Sequence, residues 1–103
     1  MKNKTMSHEE IISGMRTAVK KYAEEVLRIP AEHIDKFTRF GANIMCAKWD
    51  IAPGLYLSGF ESAIVNNDLR ATFARADNDN RALIHYYVIM WNSMEFPVKQ
   101  FAI

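Results

Sequence analysis

His8, His33, His85 and Cys46 are the nitrogen and sulfur side chains of this sequence with the chemistry to ligate a transition metal. Zinc sites place two such ligands a few residues apart, as Cys-x-x-Cys or His-x-x-x-His. Neither spacing occurs, so no metal is expected. Asp77, Asn78, Asp79 and Asn80 gather oxygen-bearing side chains of the kind that hold calcium or magnesium. A calcium hand needs about twelve residues closed by a glutamate, and no glutamate falls at that distance. Helix capping is the expected role of this cluster. Nucleophilic catalysis would require Cys46 or a serine beside a base held by a third group. His33 and His85 lie 13 and 39 residues from Cys46, separations that specify no pair. Gly-x-Gly-x-x-Gly, a Walker loop and a Gly-x-Ser-x-Gly elbow are all missing. The chain is therefore expected to be no enzyme and to carry no cofactor.

Arginines offer a different chemistry. Arg70 and Arg75 straddle a short helical stretch and Arg81 opens the next. If those helices met at an angle, they would resemble a helix-turn-helix with Asn80, Arg81 and His85 near a groove. Asp68, Asp77 and Asp79 alternate with these arginines and would repel phosphate. A second basic surface, Lys2, Lys4, Arg16, Lys20 and Lys21, faces Glu24 and Glu25 at the next turn, where pairing along the helix is the simpler role. Thirteen basic against twelve acidic residues leave a net charge of +1. No whole-molecule field attracts nucleic acid or anionic lipid, and direct nucleic-acid binding is disfavoured.

The elements that position these groups are legible as one domain over residues 1–103, half of it apolar and 24% charged. Ser7-His8-Glu9-Glu10 is a capping box, and Met6 with Ile11 can staple the entry. Ile11, Met15, Ala18, Tyr22 and Val26 then recur at helical spacing, widened by Ile12, Val19 and Leu27, which predicts a helix over about 8 to 28 that Pro30 stops. A second helix from Ala31 carries Ile34, Phe37, Phe40 or Gly41, Ile44, Met45 and Lys48, where the weak helix residues Gly41 and Asn43 would allow a kink or break and Gly41 would allow a close helix contact. Pro53-Gly54 predicts a tight turn. Leu55, Leu57, Phe60, Ala63 and Ile64 predict a third helix, with a strand as the competing reading of Leu55–Phe60.

Asn67 or Asp68 caps a short helix over 69–76 whose Leu69, Phe73 and Ala76 point inward. The last helix, over 81–94, is hydrophobic nearly all round, which predicts a central place in the core or at an oligomer interface. Beyond Pro97 a short, partly apolar tail docks, pairs or frays. The longest apolar run is about ten residues, half of a bilayer span, so no membrane helix is expected. The N-terminus lacks a secretory pattern. With one cysteine, this points to a cytoplasmic location. The expected fold is all-α, a compact bundle of four to five helices with a short C-terminal tail.

Pro53-Gly54-Leu55-Tyr56-Leu57, Asn67-Asp68-Leu69, Arg75-Ala76-Asp77 with Asn80, and Trp91-Asn92 together resemble a pattern of small proteins encoded by bacteriophages and prophages. The likeness covers about half the chain, with the stretch after Pro53-Gly54 longer by about one helical turn. It implies a mobile-element origin and no particular chemistry. A chain this small has limited interior, so some of Tyr86, Tyr87, Trp91, Phe96 and Phe101 should reach the surface as anchors for a partner. A homodimer would absorb the same surface. The expected function is a non-enzymatic interaction protein that binds a host protein or complex in the host cytoplasm. Inhibition of a host defence system is the kind of effect small phage proteins have. Partner contact is expected at Arg70, Arg75, Arg81, His85, Tyr86, Trp91 and Phe96. The alternative is a small DNA-binding or nucleic-acid-mimicking regulator.

Overall fold

The computed structural model describes residues 7–100. Met6 and its staple, Lys2, Lys4 and Phe101 lie outside them. Among the described residues there are five α-helices and no strand: α1 (His8–Tyr22), α2 (Ala31–Lys48), α3 (Gly59–Val65), α4 (Leu69–Arg75) and α5 (Asn78–Ser93). A π-helical turn, Ala23–Leu27, continues α1, and a 3-10 turn, Val98–Gln100, is the last described element. The all-α bundle expected from periodicity is the fold found.

Each start has a local cause. The Ser7 hydroxyl accepts from the Glu10 N–H at 3.1 Å while the Glu10 carboxylate accepts from the Ser7 N–H at 2.8 Å, so two orphan donors of the first turn are satisfied. Asp68 and Asp77 cap α4 and α5 through the N–H groups of Ala71 and Asn80. Leu55 N–H bonds Ala52 C=O across Pro53-Gly54, and Gly54 takes φ +84°, the left-handed conformation that a type II turn demands of its third residue.

Several sequence expectations are corrected. The helix over 8–28 is not uniformly α: the wider π turn, closed by Arg28 in the left-handed region at φ 56°, shifts the register after Ala23. Val26 consequently leaves the apolar stripe and is 60% exposed. No break occurs at Gly41, where α2 is continuous. A Cβ there would sit 3.0 Å from both Val19 Cγ1 and Met90 Cε, so glycine permits the close packing of α1 and α5 on α2. The third helix does not begin at Leu55, and Leu55–Leu57 is neither helix nor strand. Ser58 and Glu61 form a second capping box that starts the helix at Gly59.

Leu69 and Phe73 do not point inward. Thr72 and Ala76 hold the buried face of α4 and its junction, with the Thr72 hydroxyl satisfied by the Asp68 carbonyl at 2.7 Å. The last helix begins at Asn78 rather than Arg81, because Asp77 is its cap. It is not enclosed all round either: Asn80, Leu83, Ile84, Tyr87 and Met90 are buried, and His85, Val88 and Ile89 are exposed. The molecule measures 48 × 28 × 20 Å, and its short axis holds about two helix diameters of roughly 10 Å. A helix in so thin a body keeps one face in water.

The core centres on Tyr87. Its ring stacks on Phe37 at 4.6 Å and meets Phe60 edge-on at 5.7 Å, with Phe40 against Phe60 at 6.0 Å. Its hydroxyl donates to Asn80 Oδ1 at 2.7 Å. α2, α3 and α5 are joined at this point.

Candidate interaction surfaces

Cys46 is fully buried, and burial pushes its thiol up to about 11, so it is protonated and unreactive at neutral pH. Cys46, His33 and His85 are absent from the walls of the two clefts described below. His33 Nε2 lies 3.4 Å from Glu32, and the exposed His85 ring leans on Tyr86 at 4.0 Å. Among the described residues no group of three or more His, Cys, Asp or Glu is placed to hold a metal. No described helix is long and apolar enough to cross a membrane.

Asp77 and Asp79 flank one cation. Lys36 donates to Asp77 and lies 3.8 Å from Asp79. The hydrogen bond from Lys36 and then that from the Asn80 N–H hold the Asp77 carboxyl below its usual range. A depressed carboxyl contributes stability above its unfolded pKa, about 3.9, and that contribution is lost as pH falls through the lower folded value. Asp77→Asn keeps the capping oxygen and removes the charge. It is expected to flatten the acid limb of urea-unfolding stability below about pH 4, by less than about 1 kcal/mol because the side chain is half exposed. An unchanged acid limb would show that Lys36 contributes nothing here.

The seven residues expected to meet a partner are brought to several places rather than one. Arg75 lies across the start of α3, where a Cβ on Gly59 would be 2.8 Å from its Nη1. The guanidinium of Arg81 is occupied by Asn78 Oδ1 at 3.3 Å and the Ala76 carbonyl at 3.2 Å. Trp91 and Phe96 belong to a cluster at the end of α2. Lys48 donates to the Trp91 carbonyl and sits 5.4 Å and 5.5 Å from the Trp49 and Trp91 rings, while Phe96 packs edge-on to Trp49 at 5.2 Å. These two aromatics are half-buried and fasten α5 and the tail to α2. Arg70 and His85 are exposed, and Tyr86 is half-exposed.

Sequence reasoning missed the apolar residues of α4 and α5 that stand in water. Leu69 and Phe73 on α4 are 67% and 44% exposed, and Val88 and Ile89 on α5 are 46% and 44% exposed. Leu69 and Phe73 share a helix face by their spacing of four. Val88 also borders a cleft of about 380 Å³ with Ile64, Val65, Asn67, Trp91 and Asn92. The available signal was the length of α4: seven residues give it about two turns, and Thr72 with Ala76 already fill its inner side.

A larger groove, about 580 Å³, runs between the end of α1 with its π turn and the C-terminal segment. Ala18, Tyr22, Val26, Met94, Phe96 and Val98 provide apolar walls, and Lys21, Glu25, Glu95 and Lys99 provide the charged ones. Val26 and Val98 are both more than half exposed.

Comparison with protein-family profiles, with curated proteins and with solved structures gives no match to this chain.

Proposed function

We propose that the protein is a non-catalytic interaction protein of bacteriophage or other mobile-element origin, acting in the host cytoplasm by binding a host protein through its α4–α5 side. The observation that carries this reading is the exposure of Leu69, Phe73, Val88 and Ile89 on two consecutive helices. Single exposed apolar residues are ordinary; these four, on helices consecutive in the chain, are read as one contact surface because contiguous apolar patches mark interaction sites. Arg70 and Tyr86 on the same helices supply side chains favoured where partners meet, and His85 is exposed beside Tyr86. The origin rests on the Pro-Gly, Asn-Asp-Leu and Arg-Ala-Asp pattern.

Capture from bacterial lysate with the wild-type chain, Phe73→Asp and Val88→Asp tests it. Both variants are expected to keep their helical circular dichroism and to weaken capture of one discrete host protein by at least about 2 kcal/mol, roughly thirtyfold. Capture that survives both substitutions would move the site elsewhere. Salt-sensitive binding to random duplex DNA, with no captured protein, would favour the nucleic-acid regulator instead.

A further inference from the structure

We propose that a second copy of this chain docks on the groove beside the π turn, forming a two-fold dimer across the end of α1. The proposal stands on a different face from the α4–α5 surface, so the two readings fail independently.

The π turn removes Val26 from the core stripe and leaves it on the groove wall beside Tyr22. Opposite them stands Val98, which is also more than half exposed. Such a wall is costly to leave in water, at about 25 cal/mol for each Å² of apolar surface. Charge order says what covers it. Along the helix a cation, Lys21, precedes an anion, Glu25, and Lys20 with Glu24 repeat that order one residue earlier. Antiparallel apposition about a two-fold axis sets each Lys21 beside the partner's Glu25, so the face is complementary to itself. The opposite wall is balanced in the same way by Glu95 and Lys99. Among the described residues none of Lys21, Glu25, Glu95 and Lys99 forms an ion pair within the chain, so all four are available to a neighbour. A net charge of +1 imposes little repulsion between copies. A parallel arrangement, or a partner of single-signed charge, would set like charges together on part of this wall.

Sedimentation equilibrium of the full chain tests the proposal. Wild type is expected to show a reversible monomer–dimer equilibrium that weakens with salt. Lys21→Glu alone and Glu25→Lys alone each place like charges together twice across the axis. Each is expected to raise the dissociation constant about tenfold, with helical circular dichroism unchanged. An equimolar mixture of the two single variants is expected to recover the wild-type dimer, as is the double variant with both residues exchanged. Two results would overturn the proposal. One is a wild-type chain that stays monomeric at every concentration, which would leave the groove to an unrelated partner. The other is a dimer indifferent to the single reversals, which would place its interface elsewhere.

Discussion

Tyr87→Ala is expected to lower the unfolding free energy by about 3–5 kcal/mol, the range of a large aromatic removed from a packed core. The ring has no exposed surface, stacks on Phe37 from α2 and meets Phe60 from α3. Its loss would open one void shared by three helices, and short helices such as α3 have little independent stability with which to close it. Tyr87→Phe separates the ring from the hydroxyl. That variant keeps both aromatic contacts and strands the buried Asn80 oxygen, which costs about 1–3 kcal/mol. Burial, reinforced by Glu61 and Asp77, pushes the phenol pKa well up, so the donor persists into alkaline solution. Urea unfolding followed by circular dichroism measures both variants. If Tyr87→Ala cost less than about 1 kcal/mol, the core would have to be centred elsewhere.

Glu61→Ala is expected to cost about 2–4 kcal/mol, the sum of a lost cap and a stranded amide. One carboxylate oxygen accepts the Ser58 N–H and the other accepts Asn43 Nδ2, each at 2.8 Å, in a side chain that is almost wholly buried. α3 has seven residues and leans on that start, so its first turn and its link to α2 would fail together. The same motif at Ser7–Glu10 is exposed to water. Ser7→Ala should therefore cost only about 0.5–1 kcal/mol, because solvent replaces the missing acceptor. Glu61→Gln retains oxygen for the Ser58 N–H and should recover much of the loss. Equal costs for the two alanine variants would show that burial adds nothing to the second box.

The two capping boxes also show where sequence reading succeeded and where it stopped. Ser7-His8-Glu9-Glu10 precedes a long amphipathic stripe and is legible at once. Ser58-Gly59-Phe60-Glu61 has the same spacing but follows Leu55 and Leu57, whose spacing extends a helical pattern backwards across the true start. Periodicity hides the cap in the sequence, and in the structure the cap sets the start of the helix. Leu69 and Phe73 were misplaced for a related reason: on a helix of two turns, apolar type alone does not say which side is covered. Of the residues expected to meet a partner, Trp91 and Phe96 are engaged with Lys48 and Trp49, an association of positions more than forty residues apart that no local pattern signals.

Helix starts, turns and the all-α class are set within windows of three or four residues, because an orphan N–H must find its acceptor close by and a left-handed turn must find its glycine. Ser7 and Pro53-Gly54 therefore speak for themselves in the chain. Which apolar residues end in water is decided by the number of layers a 103-residue body can stack and by the π turn that re-aims Val26. Those are properties of the assembled helices, since burial requires a neighbour and the neighbour comes from elsewhere in the chain.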